Sequence, residues 1–251
     1  MKRNGNSGQI FILAILTITL VLISTQIYVY ETTTQSVNSN SDSFSDFVFM
    51  TKLGCKHTMV SSLANVSVGG SAGLLSTNLE TLDSLIESQY QFGKCLLSYT
   101  LRNTWPYSNG IWLSWGSSGT GISGAYANFT FKVSDREINA TATFVTNVTT
   151  TLSIVGTWRR LVGNDKQISV TCNLFNEGNP ALAKSITIYY HAGNDWYRAD
   201  LSSNYSLANY GNGTYIVTFE ASILGNEVNV SAQVYDTREI FVRANTTCTQ
   251  V

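Results

Sequence analysis

The chain has 251 residues, of which only 12% are charged, and its formal net charge is −1. Ordinary soluble domains carry about 25% charged residues, so the polar surface must be built mainly from the 29 Ser, 29 Thr and 22 Asn residues. A near-neutral chain without clustered Lys and Arg excludes nucleic acid as a partner, because phosphate binding requires such clusters.

The first strong pattern is an uncharged, largely apolar segment over residues 9–30. A helix of about 20 such residues crosses a bilayer core. The charged residues before it are basic, Lys2 and Arg3, whereas acidic residues start at Glu31. By the positive-inside rule, residues 1–8 are a cytoplasmic basic leader and residues 9–30 a single transmembrane helix. The lipid bilayer is therefore an expected partner, and the bulk of the chain is expected outside the cell membrane.

A removable signal peptide is the alternative for this segment. Such a peptide has an apolar core of about 7–15 residues and a small-x-small cleavage site. The apolar run here is longer, and Ser24–Tyr30 follows it without an Ala-x-Ala pattern. The sequence therefore favours a retained anchor.

Residues 31–103 are expected to form an extracellular stalk and a helical hairpin. Residues 32–46 are rich in Ser, Thr, Asn and Gln, and they are either a flexible stalk or a continuation of the membrane helix, since they contain neither Gly nor Pro. Apolar residues at intervals of three and four then predict helices over 44–63 and 75–97, separated by a Gly-rich segment.

After residue 104 the apolar residues recur with a period of two, which is typical of β-strands. A first hairpin is predicted around Tyr126 and Ile138, with its turn at Asp135-Arg136-Glu137. Further strands are predicted over Thr149–Trp158, Gln167–Asn176, Lys184–His191, Thr214–Ala221, Glu227–Tyr235 and Glu239–Ala244. Many short strands with regular turns predict an all-β sandwich over residues 104–251. The predicted fold class of the whole chain is α+β: a transmembrane helix, a helical hairpin and a sandwich.

Part of this β region resembles a known module. The passage from Ile168 to Asn179 contains Asn176-Glu177-Gly178 between a strand and the next strand at Ser185–Tyr190. It resembles the immunoglobulin-like modules of archaeal and bacterial surface proteins. The resemblance covers about residues 167–245 and implies an immunoglobulin-like fold, not a function.

The layout of the chain resembles archaeal type IV pilins and their pseudopilin relatives. It consists of a short basic leader with Gly5 and Gly8, then an apolar helix, then an extracellular β domain. In that family a membrane peptidase cleaves after a small residue near a basic cluster, and the freed helix packs with its copies into a filament. The resemblance implies a processing site formed by Lys2, Arg3 and Gly5 or Gly8, and self-association through residues 9–30.

All four cysteines, Cys55, Cys95, Cys172 and Cys248, follow the apolar segment. An even number in an extracellular region suggests two disulfides, for which three connectivities are possible. Neighbourhood along the chain favours Cys55–Cys95 and Cys172–Cys248, and the alternative is buried free thiols. A metal site is disfavoured, because Cys55 and His57 have no second pair of ligands at similar spacing.

The strongest signal for modification is the Asn-x-Ser/Thr sequon. It occurs eight times, all in the expected extracellular part, at Asn65, Asn128, Asn139, Asn147, Asn204, Asn212, Asn229 and Asn245. The composition gives about five by chance, from 22 Asn residues multiplied by a Ser and Thr fraction of 58/251. The modest excess and the location predict that several are glycosylated.

The sequence predicts neither an enzyme nor a cofactor. His57 and His191 are the only histidines, and no Gly-x-Ser-x-Gly element, phosphate loop or dinucleotide fingerprint is present.

An aromatic group occurs at Trp105, Tyr107, Trp112 and Trp115. It is either a contact surface for carbohydrate or protein, or the hydrophobic joint between the helical and β regions.

Taken together, these patterns predict a single-span, glycosylated cell-surface structural protein, either a pilin-like filament subunit or an adhesin. The alternative is a monomeric membrane-anchored binding module, such as a sensor or accessory ectodomain. The extracellular ligand is not specified by any motif.

Overall fold

The computed structural model describes residues 45–89, 94–134 and 139–251. The leader with its predicted processing site, the segment 9–30 and the turn predicted at 135–137 lie outside these ranges. Contacts divide the chain into two units, Met1–Met50 and Thr51–Val251. In the first unit the described residues 45–50 are helical, and the packing described below belongs to the second.

The predicted fold class, α+β, is wrong, because the described part of the chain is mostly β, and the predicted transmembrane helix finds no support there. It contains two α-helices, α1 over residues 45–67 and α2 over Leu74–Gln89, and a short 3-10 turn at Ala199–Leu201. No helix in the described ranges combines the length and apolar composition that a membrane span requires. Strands prevail because side chains alternate between buried and exposed through most of the chain after Lys94.

The strands within the described ranges follow α2 in the chain. They are β1 (Lys94–Leu101), β2 (Ile111–Trp115), β3 (Thr120–Ser134), β4 (Asn139–Arg160), β5 (Asp165–Asn176), β6 (Asn179–Pro180), β7 (Ala183–Ala192), β8 (Asp195–Arg198), β9 (Ser203–Asn209), β10 (Thr214–Ser222), β11 (Val228–Asp236) and β12 (Phe241–Gln250).

A long antiparallel pair, β3 and β4, forms the spine of the second unit. Its register runs without a break from Thr120 opposite Ser153 to Ser134 opposite Asn139. The two strands predicted on either side of residue 147 are one strand, because the alternation continues through residues 145–148, which contain neither Gly nor Pro. The even-numbered side chains of β4 point to the interior along most of its length.

The helix predicted up to Leu97 is shorter in the structure, since Leu97 belongs to β1. Along β1 the side chains of Cys95 and Leu97 are buried while Lys94 and Leu96 are exposed, which is a period of two. All eight residues of β1 pair with β3, and the Leu97 N–H donates to the Asp83 carboxylate of α2 at 3.0 Å. Pairing with a distant strand therefore overrides the local helical spacing.

The two helices cover one end of this spine. Met59 and Leu63 of α1 and Leu79 of α2 are fully buried, and Asn78 of α2 donates to Ser62 of α1 at 2.9 Å. The Lys52 ammonium lies 5.4 Å from the Phe144 ring of β4. Over residues 51–89, α1 and α2 thus pack against each other and against the sheet.

The other end of the spine belongs to a sandwich of two sheets. One has the strand order β4-β5-β10-β9 and the other β8-β7-β11-β12, and two parallel pairs between β12 and β4 join them. Their inner faces share a core that includes Trp158, Val170, Phe219 and Val230. If β4 is taken as strand A, these are the ABED and CFG orders of an immunoglobulin-type sandwich, with β8 as an added edge strand.

Candidate functional site

The outer face of the β2–β3 region carries a cluster of rings and one cation, which we call the aromatic surface: Arg102, Tyr107, Trp112 and Tyr126. Trp112 of β2 pairs with Gly124 of β3. The Tyr107 hydroxyl lies close to Gly124, 3.8 Å from where a Cβ on that residue would be. The Tyr107 centroid is 5.7 Å from that of Trp112 and 5.8 Å from that of Tyr126.

Arg102 completes the aromatic surface. Its guanidinium carbon lies 5.2 Å from the Tyr107 centroid and 5.0 Å from the Tyr126 centroid, which is within the range of cation–π attraction. Desolvation raises the pKa of the Tyr107 hydroxyl, and Arg102 partly opposes that shift. The surface is therefore held together internally while its rings stay partly accessible to solvent.

Trp105 lies close in sequence, at a turn, and its side chain is 92% exposed. A ring of this size left in water is unusual.

Trp115, the fourth member of the predicted aromatic group, has a different role. Its indole N–H donates to Ser123 at 3.2 Å, and its ring meets Phe241 of β12 edge-on at 5.2 Å between centroids. Trp115 is thus part of a joint between β2, β3 and β12, whereas Tyr107 and Trp112 lie on the aromatic surface. Tyr126 was predicted to lie in a strand but not to belong to the aromatic group. Its position among the outward-facing polar residues of that strand was a usable signal.

The eight sequon asparagines all fall within the described ranges, and none is buried. Six are exposed: Asn65, Asn128, Asn139, Asn147, Asn204 and Asn212. Asn229 and Asn245 are half-buried, and the Asn229 side chain is engaged on both sides, donating to Glu227 and accepting from Thr247. Asn204 donates to Glu220 at 2.9 Å.

The structure holds all four cysteines as free, buried thiols and contains neither predicted bridge. Burial raises the thiol pKa from about 9 to about 12 for Cys55, Cys172 and Cys248, and to about 11 for Cys95. The Cys248 side chain packs directly against Gly156, where an added Cβ would lie 2.3 Å from the sulfur. These thiols pack as small apolar groups.

We expect the native protein not to react with a thiol reagent at pH 8, because burial blocks access and the raised pKa removes the thiolate that reacts. In denaturant without reductant, four thiols per chain should react. The measurement is absorbance titration with a chromogenic disulfide reagent, with a reduced sample as the control. Two intact bridges would instead give no reactive thiol until reductant is added.

Neither histidine belongs to a cluster of chemically active groups. His57 is exposed on α1, and the His191 ring lies 5.2 Å from that of Trp196. Among the residues that the structure describes, no three His, Cys, Asp or Glu side chains converge as metal ligands.

A buried polar network was not foreseen from the sequence. Asp236, at the end of β11, is fully buried and accepts from Thr150 and from the main-chain N–H groups of Arg238 and Ile240. Its second oxygen also accepts from the Arg238 guanidinium at 2.8 Å, and that guanidinium continues to Glu177 at 2.7 Å. The network fixes the β11–β12 turn to β4 and to the turn after β5.

No protein-family model and no curated protein matches this sequence. The fold and the local geometry are therefore the basis for a functional proposal: a β-sandwich with a helical cover, six sequons with an exposed asparagine and an aromatic surface.

Proposed function

We propose that this is a glycosylated cell-surface protein of structural or adhesive function, whose β-rich domain lies outside the membrane and works by contact rather than by catalysis. One observation carries the proposal: none of the eight sequon asparagines is buried, and six are exposed. A sequon in a core would be useless for attachment, because a glycan cannot be packed inside a folded domain.

The surface composition agrees with this proposal. The outer faces of β4, β5 and β10 present mainly Thr, Ser, Asn and Gln; examples are Thr157, Ser169 and Thr218, which line an open groove. Such a face can form hydrogen bonds without the salt sensitivity of charged contacts. The expectation of a membrane location rests on the sequence of residues 9–30.

In the filament form of the proposal, the mature protein contacts copies of itself through residues 9–30. We expect mass spectrometry of protein from the membrane or cell-surface fraction to show a new N-terminus after Gly5 or Gly8, together with glycan mass on several sequon peptides. Electron microscopy of cells with and without the gene would show whether filaments depend on it. An unmodified chain found only in the cytoplasmic fraction would contradict the proposal.

A second candidate is a monomeric, anchored binding module, and the aromatic surface favours it. Trp105 is 92% exposed and precedes Tyr107 of the aromatic surface by two residues, as expected for a contact with carbohydrate or protein. An intact N-terminus and unaltered filaments in the deletion strain would favour this candidate over the filament subunit.

A further inference from the structure

One sequon lies directly beside the aromatic surface. In the β3–β4 register, Asn147 is the cross-strand partner of Tyr126. Both side chains are on the outer face, since the inward-facing residues around them are Ala125, Ala127 and Val148, which are fully buried. Directly opposed residues of an antiparallel pair have Cβ atoms about 4.5–5.5 Å apart, so a group attached to Asn147 starts within reach of the Tyr126 ring.

The asparagine and threonine side chains of this sequon are both accessible from one face of the sheet. It reads Asn147-Val148-Thr149, and strand alternation puts Asn147 and Thr149 on the same outer face while Val148 faces the core. Asn147 is exposed. The acceptor amide and the hydroxyl of the sequon are therefore presented together on the side that carries the rings.

The chemistry of the aromatic surface suits a sugar. A pyranose has a face of C–H groups, which packs on an aromatic ring, and a rim of hydroxyls, which needs hydrogen-bond partners. From Asn147 the surface continues across β3 through Tyr126 to Tyr107 and Arg102. The Arg102 guanidinium is exposed and carries several N–H donors, of which one is used by Thr104 at 3.1 Å.

Four other sequon asparagines have a residue directly opposite in a paired strand, and in none of them is that residue aromatic. Asn128 is opposite Thr100 and Val145, Asn139 opposite Ser134, Asn229 opposite Thr247 and Asn245 opposite Ser231. Asn139 is the best comparison, because it is exposed, lies on the same strand and the same face as Asn147, and has a Thr sequon.

We infer that Asn147 carries an N-linked glycan whose first sugar packs against Tyr126 and whose hydroxyls reach Tyr107 and Arg102. This inference rests on the proposed function, since it requires an extracellular, glycosylated chain. In the attachment step the Asn147 amide nitrogen loses a proton and bonds to the anomeric carbon of the sugar. The bond from that carbon to the phosphate oxygen of a lipid-linked oligosaccharide donor breaks, and the lipid phosphate leaves with the bonding electron pair, so that its oxygen can take up the proton. The aromatic surface is then covered by the chain's own glycan.

The test is a double-mutant comparison on the full chain purified from its own membranes. Asn147→Gln, which removes the glycan, should lower the melting temperature by about 2–4 °C, the shift typical of one aromatic contact in a domain of this size. The same loss should appear in a Tyr126→Phe background, which keeps the ring, and disappear in a Tyr126→Leu background. Asn139→Gln is the matched control and should give the same change in all three backgrounds.

A second measurement requires no variant of Tyr126. Sugar protons that lie over an aromatic ring shift upfield in the proton spectrum, so the glycan on Asn147 should show displaced resonances and a glycan on Asn139 ordinary ones. An unmodified Asn147 peptide would overturn the inference. The combination of ordinary sugar resonances and a decrease in melting temperature on Asn147→Gln that is the same in the Tyr126→Leu background would also overturn it. If other sequons are modified and Asn147 is not, this inference fails while the proposed function stands; if none is modified, both fail.

Discussion

Replacing Asp236 with Ala should reduce the free energy of unfolding by about 3–5 kcal/mol, the usual cost of removing one partner from a buried ion pair. The Asp236 side chain is fully buried and accepts four hydrogen bonds, two of them from main-chain N–H groups. Its loss leaves the Arg238 guanidinium, which is mostly covered, without one of its two carboxylate partners and with Glu177 as the other. Urea denaturation followed by tryptophan fluorescence measures the change.

A matched control is an ion pair between β7 and the same turn. Lys184 and Glu239 form an ion pair whose side chains are more than half exposed, so Lys184→Ala should cost less than about 1 kcal/mol. Asp236→Asn keeps the shape of the side chain and one acceptor oxygen and should fall between the two. A loss below about 1 kcal/mol for Asp236→Ala would show that the network does not hold the β11–β12 turn.

Gly121→Ala should destabilise the protein by about 3 kcal/mol, the upper end of the usual cost of overpacking. An added Cβ at Gly121 would lie 2.0 Å from the carbonyl oxygen of Arg243 and 2.7 Å from its carbonyl carbon. Both atoms belong to the main chain of β12, so no side-chain rotation relieves the clash. The start of β3 or the whole of β12 must move, which disturbs the joint that Trp115 forms with Phe241.

Gly54→Ala is the control of opposite sign. Gly54 is inside helix α1, and an added Cβ would make only an ordinary contact with Leu82, at 3.6 Å. Alanine in a helix interior is favoured over glycine by about 0.5–1 kcal/mol, so this variant should be more stable. The same denaturation experiment ranks both variants, and equal stability of Gly121→Ala and the unmodified protein would contradict the close approach of β12 to β3.

The alternation of apolar residues predicted several strands well. The strands expected over Gln167–Asn176 and Thr214–Ala221 coincide with β5 and β10 to within a few residues. They alternate because one face of each is in the shared core. The edge strands β8 and β9 were missed, since nearly all their side chains are exposed and exposed strands have no apolar period.

Lys166 marks another limit of prediction from sequence. It occupies an inward-facing position in β5 and is 1% exposed. The chain tolerates this because its ammonium donates to the Gly225 carbonyl and lies 4.5 Å from the Trp158 ring. Desolvation lowers its pKa. Gly225 is 59 residues away in the sequence and Trp158 lies on the neighbouring strand. No local pattern predicts these contacts, so only the folded chain shows how this buried cation is accommodated.

The candidate site also has features that the sequence predicts and features that only the fold decides. The sequence alone determined the eight sequons, the neutral hydroxyl-rich composition and most of the strand pattern, because these depend on residue type and on periods of two to four residues. The position of Asn147 opposite Tyr126, the proximity of the Tyr107 hydroxyl to Gly124 and the burial of Asp236 were decided by the tertiary structure. The burial of Asp236 depends on contacts with residues far away in the chain, such as Thr150. The position of Asn147 depends on the register of β3 and β4, which is set by packing along the whole pair rather than by any local pattern.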